Sequence, residues 1–255
     1  MSSEVVRQNR DYWEQLAPHR PGEPVEFFRD GGSAVTQAEL AVLGDVRGRR
    51  VLQLACSVGD EALSFAKLGA TATAVDLAPS HLATGRAKAA ALGLPVEFIE
   101  QDMMNLDPNI SGFDIVYISW GGICWVPDIR RWTAIIAERL NRGGVLVISE
   151  HHPLWEILTV RDENSLSVSS DYFGIGRDGY SDPSKAPQVT QRIGTPKVPH
   201  RSYIWNLGAV VTAVIDAGLT VRSLQEFPEQ DSYEGLGETS TYVPATYLLT
   251  ARSDG

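Results

Sequence analysis

The chain has only two cysteines among its 255 residues, Cys56 and Cys124, and both lie in apolar runs. Disulfide scaffolds and thiolate metal sites need more cysteines at closer spacing, so we expect a reduced protein with no metal site. Basic residues are also few, because 22 Lys and Arg stand against 32 Asp and Glu, a formal net charge of −10. An acidic surface repels phosphate backbones and anionic lipid, which argues against nucleic acid and membrane partners.

Long apolar runs are lacking as well. The longest have the length of a strand, and the first residues contain no apolar stretch typical of a secretory signal. We therefore expect a cytoplasmic monomer or homodimer whose partner is a small-molecule substrate. Apolar residues still make up 43% of the chain, which is enough for the core of one large α/β domain.

Short apolar runs alternate with helical patterns from residue 49 to residue 150. The expected strands span 51–56, 71–75, 96–99, 113–119 and 145–149, and the expected helices span 60–68, 80–92 and 128–140. Such alternation predicts a doubly wound, mostly parallel sheet with helices on both faces. A helix over 202–217 and two further strands, 219–227 and 242–251, would complete seven strands. The last two strands are joined by a short segment and are therefore expected to run antiparallel.

The chain is thus predicted to form one α/β domain in four parts. Residues 1–48 form an N-terminal helical lid, 49–150 the cofactor-binding core, and 202–255 the C-terminal helix and last strands. Residues 151–201 interrupt the rhythm and are rich in Ser, Pro, Gly and Asp. A long irregular connection inside a compact domain is often a binding loop, so this segment is predicted to be a substrate cap loop.

The turn after the first expected strand carries small residues at Ala55, Ser57 and Gly59, which let the backbone approach a ligand closely. A dinucleotide fold places G-x-G-x-x-G here, so that a pyrophosphate sits on the helix N-terminus. This chain has a single glycine in the turn, and Asp60 and Glu61 at the helix start would repel a pyrophosphate. A sulfonium ligand has no phosphate, so the charges favour S-adenosylmethionine over a nicotinamide cofactor.

Two further strand ends suit an adenosine ligand. Asp76, followed by Leu77, closes the second strand, where a carboxylate can accept hydrogen bonds from both ribose hydroxyls. Asp102 and Met103 follow the third strand and can meet an adenine ring by hydrogen bonding and packing. Because ligands of such sheets bind beyond the carboxyl ends of the strands, these residues are predicted to line one site.

These residues resemble the class I S-adenosylmethionine-dependent methyltransferases, in particular a bacterial small-molecule subgroup. The resemblance covers residues 11–252 and is carried by Asp11-Tyr12-Trp13, Phe113-Asp114-Ile115-Val116-Tyr117, Cys124-Trp125-Val126-Pro127-Asp128, Asn141-Arg142-Gly143-Gly144 and Glu150-His151-His152-Pro153. The first motif departs from the family pattern of an acidic residue followed by G-x-G-x-G. Gln53 stands near the acidic position, and Ala55 and Ser57 replace two glycines.

The resemblance implies a role for each strand end. The methionyl part of the cofactor would contact Ala55, Ser57 and Gly59, the ribose Asp76 and Leu77, and the adenine Asp102 and Met103. Ser119 and Trp120, after the fourth strand, would face the methyl group and the substrate.

Methyl transfer is an in-line displacement in which the enzyme mainly aligns the nucleophile and excludes water. A general base matters only when the nucleophile carries a proton. The candidates are His151 and His152, with Glu150 as a further base or as an orienter of a histidine. Successive strand residues face opposite sides, so one histidine of the pair is expected to reach the cleft.

Four aromatic residues, Tyr12, Trp13, Trp120 and Trp155, are predicted to wall a pocket for an apolar or aromatic compound. The predicted function is methyl transfer to a nitrogen or oxygen of a small molecule, taken to be a secondary metabolite. Two alternatives stay open. One is a protein that binds S-adenosylmethionine without methyl transfer, such as a cyclase or an assembly partner, and the other is a nicotinamide oxidoreductase.

Overall fold

The computed structural model describes residues 3–173 and 200–254. The strands of these ranges are β1 (Arg50–Leu54), β2 (Thr71–Asp76), β3 (Val96–Glu100), β4 (Phe113–Ser119), β5 (Leu140–His151), β6 (Leu158–Asp162), β7 (Ser165–Val168), β8 (Leu219–Phe227) and β9 (Thr246–Ser253). Seven of them form one sheet in the order β3-β2-β1-β4-β5-β9-β8, and β6 and β7 form a separate hairpin. β1 to β5 pair in parallel, whereas β9 runs antiparallel to both β5 and β8. The predicted seven-stranded, mostly parallel sheet is confirmed.

The α-helices of the described ranges are α1 (Ser3–Leu16), α2 (Val25–Arg29), α3 (Gln37–Leu43), α4 (Asp60–Lys67), α5 (Pro79–Leu92), α6 (Ile129–Arg139), α7 (Pro153–Ile157) and α8 (Leu207–Asp216). Their ends follow the local sequence. Asp128 caps α6 by accepting a hydrogen bond from the backbone N–H of Arg131, and α5 ends at Gly93 in the left-handed region. α8 begins five residues after the predicted start at residue 202, because Asn206 provides its N-terminal cap.

Three predicted boundaries were wrong. The 141–144 segment was expected to be a turn but belongs to β5, which pairs with β4 through a register shift between Phe113 and Ile115. The last strand begins at Thr246 rather than at residue 242, after a short 3-10 helix (Gly237–Tyr242). The helix predicted over 80–92 begins one residue earlier, at Pro79, and the N–H and hydroxyl of Ser80 donate to Glu14 of α1.

The central strands are apolar on both faces, as a sheet covered by helices on both sides requires. On one face Leu52 belongs to a cluster with Trp132 of α6. On the other, Val51 packs in a cluster with Phe65 of α4. All four side chains are fully buried. The sheet is thereby held rigid, and the turns that follow its strands are fixed at one edge.

The N-terminal segment covers that edge. The side chain of Asn9 in α1 exchanges two hydrogen bonds with the backbone of Arg201, at 2.7 and 3.0 Å. Farther along, the backbone N–H of Glu23 donates to Asp60 at 2.7 Å. These contacts bring residues 3–23 over the carboxyl ends of the strands, where the predicted lid should lie. Its opening and closing stay a prediction.

The predicted cap loop begins with ordered elements, since α7 and the hairpin of β6 and β7 occupy residues 153–168. Residues 174–199, which include Tyr180, lie outside the described residues, so the cap role stays a prediction. Across the described ranges, every helix is too short or too polar to cross a bilayer. The same ranges bring together no group of His, Cys, Asp and Glu side chains that could hold a metal ion.

Candidate cofactor and active site

The turn after β1 has a left-handed backbone at three residues. The φ angles are +49° at Ala55, +50° at Ser57 and +75° at Gly59. A side chain in this region costs about 1–3 kcal/mol, so the surroundings must hold the turn. They do so through β2, because the backbone N–H of Cys56 donates to the carbonyl of Val75 at 3.0 Å and that of Ser57 donates to Asp76 at 2.7 Å. The turn is therefore fixed to the neighbouring strand.

Asp76 joins the turn after β1 to the start of α5. Its Oδ2 accepts from the backbone N–H of Ser57, and its Oδ1 accepts from that of Ala78 at 2.9 Å. Desolvation raises the pKa of Asp76 from 3.8 to about 6, against the lowering effect of these hydrogen bonds. A carboxylate has about four acceptor positions, so two remain for hydroxyl groups of a ligand.

A slot opens beside Asp76, between α1 and the ends of β1, β2 and β3. It is lined by Asn9, Trp13, Ala55, Val75, Asp76, Leu77, Gln101, Asp102, Met103 and Trp125. The slot thus brings together five of the residues predicted from the sequence, from three different strand ends. Asp102 also shapes the turn after β3, because its Oδ1 accepts from the backbone N–H of Met104 at 2.9 Å.

A larger cavity of about 640 Å³ continues on the other side of Ala55. It is lined by His19, Arg20, Pro21, Gly22, Glu23, Ala34, Gln53, Ala55, Cys56, Ser57, Val58, Asp60, Glu61, Ser119 and Trp120. The predicted Ser57, Ser119 and Trp120 meet here. Gly59 does not line it; a Cβ on Gly59 would lie 2.6 Å from the ring of Phe98, so its role is close packing. The predicted contact of the Gly59 backbone with the cofactor stays a prediction.

The two acidic residues at the start of α4 have different surroundings. Asp60 is neutralised, since its Oδ1 lies 2.7 Å from the ammonium of Lys88 in a buried ion pair. Glu61 instead accepts from the amide of Gln53 and from the hydroxyl of Ser119, each at 2.8 Å. Burial raises the pKa of Glu61. The charge argument against a pyrophosphate therefore depends on Glu61 alone.

Glu150 shapes the loop after β4. Its Oε2 accepts from the backbone N–H of Gly121 at 2.7 Å and of His151 at 3.1 Å, and its Oε1 accepts from that of Ile123 at 2.7 Å. The residue is 1% exposed. A carboxylate whose oxygens are held by three N–H groups cannot reach a substrate. The prediction of Glu150 as a base is therefore wrong, and its role is to hold this loop.

The two histidines face opposite sides, as the strand geometry predicts. His152 is buried, its Nδ1 accepts from the backbone N–H of Leu154 at 3.0 Å, and its Nε2 lies 2.9 Å from Glu226. Both ring nitrogens are used away from the cavities, so His152 is ruled out as the base. His151 packs edge-on against Trp120, with ring centroids 5.4 Å apart, and Trp120 lines the larger cavity. His151 as the base stays a prediction.

Comparisons with known proteins agree with this geometry. Residues 51–144 match the family model of a methyltransferase domain. A S-adenosylmethionine-dependent methyltransferase from Mesorhizobium loti has a TM-score of 0.64 at 22% identity, over 83% of this chain and 94% of that one. The CcbJ methyltransferase from Streptomyces caelestis has a TM-score of 0.64 at 17% identity, over 97% and 99%. The chain has the class I methyltransferase fold.

The predicted resemblance to the fold of this class is confirmed, and the solved structures that the chain resembles are S-adenosylmethionine-dependent methyltransferases from several bacteria. A putative methyltransferase, GWCH70_2453, from Geobacillus sp. (strain WCH70) is 31% identical over 125 residues. That match covers 48% of this chain and 50% of the relative, so the chain spans half the length of this relative.

The residues of this methyltransferase fold suit a polar adenosine ligand. A third, smaller cavity connects the slot to the larger cavity and includes Ser57, Asp76 and His81 in its lining. The side chain of His81 is buried, and within residues 3–173 and 200–254 its Nε2 has no hydrogen-bond partner. Desolvation lowers the pKa of His81 to about 4, so the ring is neutral at pH 7. An unsatisfied polar atom beside Asp76 fits a ligand that carries hydroxyl or carboxylate groups.

Two of the four predicted substrate aromatics, Tyr12 and Trp155, have other roles in this fold. Tyr12 is fully buried and packs on Trp125 and His200, and burial raises its pKa to about 12. Trp13 lines the slot beside Asp76 and also the third cavity, which Trp120 lines as well. Trp155 is buried, stacks on His151 at 4.1 Å and donates its indole N–H to the carbonyl of Ser232. The predictions for Tyr12 and Trp155 are corrected because packing buries both rings, whereas the substrate role of Trp13 stays a prediction.

Trp120 agrees with the predicted position. It is 40% exposed at the rim of the larger cavity. Its φ of +31° is strained, and its backbone N–H donates to the carbonyl of Ser149 at 2.9 Å. The loop held by Glu150 therefore presents this ring to the cavity.

The site also includes polar residues that the sequence did not suggest as ligands. They are Asn9, Arg20, Glu61, His81 and Gln101. Arg20 lies in a proline-rich connection with no motif, and its guanidinium packs over the ring of Trp13 at 5.7 Å. Glu61 could have been suggested from the sequence. Gln53 stands near the acidic position of the family pattern, and Glu61 is an acid close to it in the chain.

Proposed function

We propose that the protein transfers a methyl group from S-adenosylmethionine to a nitrogen or oxygen of a small-molecule acceptor. The observation that carries the proposal is a row of three cavities along the carboxyl edge of the sheet, of which the third shares lining residues with each of the other two. The row begins at the slot with Asp76, Asp102 and Met103 and passes Ala55 and Ser57. It ends at the larger cavity beneath Trp120.

Along this row each strand end would hold one part of the cofactor. Asp76 would accept hydrogen bonds from the ribose hydroxyls, and Met103 and Leu77 would pack on the adenine. Arg20 lines the larger cavity and would meet the carboxylate of the methionyl part. When bound, the cofactor supplies a methyl group on a sulfonium. The residues of the chain align the acceptor and exclude water.

The acceptor would enter the larger cavity beside Trp120. A volume of about 640 Å³ suits a small molecule, and the exposed indole offers a planar surface on which an aromatic or apolar compound can stack. His151 packs edge-on against this indole and would take the proton from an acceptor that carries one. The net charge of −10 is unfavourable for nucleic acid. We assign the acceptor to secondary metabolism.

Calorimetry with S-adenosylmethionine, S-adenosylhomocysteine and NAD tests the cofactor. We expect the first two to bind and NAD to be rejected, and we expect Asp76→Ala to weaken binding of both sulfur compounds. Binding of NAD alone would replace the proposal with an oxidoreductase.

Mass spectrometry of a metabolite panel incubated with S-adenosylmethionine then tests the reaction. A product about 14 Da heavier than its acceptor supports methyl transfer, because a methyl group replaces a hydrogen. Cofactor binding with no methylated product from any nitrogen or oxygen acceptor would favour a binding protein or a cyclase.

A further inference from the structure

Five consecutive residues of the N-terminal segment line the larger cavity, and we call them the strap: His19, Arg20, Pro21, Gly22 and Glu23. The strap follows α1 and leads to the start of α2. Residues 19–24 are all exposed, so no buried side chain holds the strap in place. Its position must therefore come from the few contacts that its backbone makes.

The backbone of the strap is seated on Asp60, at the start of α4. The N–H of Glu23 donates to Oδ2 of Asp60 at 2.7 Å. Within residues 3–173 and 200–254, this is the one hydrogen bond that joins residues 20–23 to the chain beyond residue 48. The other oxygen, Oδ1, lies 2.7 Å from the ammonium of Lys88 in α5. Asp60 thus connects the strap to both helices.

Gly22 brings the strap closely against this ion pair. Its φ is +64°, and a Cβ added there would overlap the carboxylate of Asp60 and lie 2.5 Å from Val58 and 2.9 Å from Lys88. A side chain at this residue would be strained by its backbone angle and would push the strap off the carboxylate. The close approach at Gly22 is therefore a second observation, independent of the hydrogen bond from Glu23, of the same seat.

An ion pair is not the only way to join α4 to α5. Burying two charges costs desolvation that their attraction offsets only in part, and apolar side chains of similar size often stabilise a fold as well. An apolar pair would, however, leave the N–H of Glu23 without an acceptor. The strap therefore explains the buried carboxylate of Asp60, and the ammonium of Lys88 compensates its charge.

We propose that Asp60, paired with Lys88, positions the strap as a wall of the larger cavity and thereby sets how tightly the methionyl part of the cofactor is held. The inference rests on the proposed function. Arg20 of the strap also lines the third cavity, whereas the described lining of the slot includes no strap residue. A displaced strap should therefore affect the methionyl part of a ligand and spare its adenosine. Asp60 acts through the strap, because both of its oxygens are already engaged.

Two ligands that differ in the amino-acid end test the inference through Gly22→Ala. S-adenosylhomocysteine has the whole methionyl chain without the methyl, whereas 5′-deoxy-5′-methylthioadenosine has the same adenosine and thioether but ends in a methyl group. We expect Gly22→Ala to weaken binding of S-adenosylhomocysteine by about tenfold or more, mainly through faster dissociation. Binding of methylthioadenosine should change by less than about twofold, which also shows that the variant is folded.

Gly31→Ala is the matched control for this variant. Gly31 also has a positive φ, +95°, but among the described residues no atom lies within 4 Å of an added Cβ. The control therefore adds the same methyl group at a similar backbone angle without displacing the strap. It should leave both affinities unchanged.

Two double variants test Asp60 itself. Asp60→Asn with Lys88→Met removes both charges but keeps an oxygen for the N–H of Glu23, whereas Asp60→Ala with Lys88→Met removes that oxygen as well. Hydrogen exchange of the Glu23 amide in the absence of ligand reads the seat directly. We expect this amide to exchange faster by about tenfold or more in the alanine variant only. Affinity for S-adenosylhomocysteine should fall in that variant and be retained to within about threefold in the asparagine variant.

Three results would overturn the inference. Unchanged affinity for S-adenosylhomocysteine in Gly22→Ala would show that the strap does not hold the methionyl part, and equal losses for both ligands would show a general effect on the fold. Equal exchange rates or equal affinities in the two double variants would show that the oxygen of Asp60 does not seat the strap. Each of these results leaves binding by the unaltered protein intact. If the unaltered protein bound neither ligand, the proposed function itself would fail.

Discussion

Asp76→Asn separates the cost of a buried charge from its use in binding. In the unliganded protein the pKa of Asp76 is raised from 3.8 to about 6, so the folded state favours the protonated carboxyl. The stabilising contribution is complete below the unfolded pKa and is lost as the pH rises through about 6. At neutral pH the charged carboxylate therefore destabilises the unliganded fold.

The magnitude follows from the shift. A difference of about 2.2 pKa units at 1.36 kcal/mol each gives about 3 kcal/mol over the full titration, of which about 1.3 kcal/mol falls between pH 5 and pH 7. Asparagine does not titrate, but it has one oxygen for the N–H groups of Ser57 and Ala78. One of these is left unpaired, at a cost of about 1–3 kcal/mol at every pH.

Urea unfolding without cofactor at pH 5, 6 and 7 measures this balance. At pH 7 the gain from removing the buried charge nearly cancels the loss of one hydrogen-bond acceptor, so the variant and the unaltered protein should be about equally stable. At pH 5 the variant should be the less stable of the two, by about 1.3 kcal/mol. Asp114→Asn is the control, because backbone and side-chain hydrogen bonds from Arg50 and Asn141 lower the pKa of Asp114 and its carboxyl therefore stays ionised from pH 5 to pH 7. Its stability difference from the unaltered protein should therefore stay constant across this pH range.

A stability difference for Asp76→Asn that does not change with pH would refute the reasoning. Affinity for S-adenosylhomocysteine gives an independent readout. We expect the variant to lose about 1–3 kcal/mol of binding free energy, because the ribose hydroxyls lose acceptors in a desolvated site. Calorimetry at pH 7 measures it, and unchanged affinity would remove Asp76 from the ribose site.

Three further predictions concern the rest of the site. His151→Asn should lower turnover by about a hundredfold for an acceptor that needs a base. His152→Asn should lower the thermal midpoint and leave the turnover of the folded protein intact. Equal turnover in the two variants would refute this assignment. Glu150→Gln should destabilise the fold by about 1–3 kcal/mol, seen in urea unfolding, since an amide group replaces one acceptor for the loop after β4; unchanged stability would contradict the anchoring role. Gly59→Ala should also destabilise by about 1–3 kcal/mol, because its Cβ would meet Phe98 and its φ is +75°, and a neutral result in the same assay would show that the ring yields.

The strands could be predicted where local sequence decides them. β4 has the predicted bounds, 113–119, because its apolar run is continuous and ends at a Trp-Gly-Gly loop. The 141–144 segment has turn residues, yet it belongs to β5 because Leu140 pairs with Phe113 across a register shift. Such pairing depends on a neighbouring strand, so local turn chemistry cannot reveal it.

The residues of the site also fall into those that the sequence could predict and those that depend on the folded structure. Asp76, Asp102 and Met103 could be predicted because parallel topology brings the ends of successive strands to one edge. Arg20 and His81 reach the cleft only through the path of the N-terminal segment over that edge, which no periodicity encodes. The roles of Tyr12 and Trp155 were missed for a related reason, since burial is decided by what packs over a ring.

The altered first motif keeps the backbone path of a glycine-rich turn without its glycines. Ala55 and Ser57 hold left-handed backbone angles at a cost, and the hydrogen bonds to Val75 and Asp76 offset that cost from the adjacent strand. The missing glycines therefore change what lines the cleft more than where the backbone runs. Gln53 stands near the acidic position of the family pattern and donates to Glu61 on the next helix, so a carboxylate still lies beside the turn. This consistency favours a retained cofactor site over a decayed one.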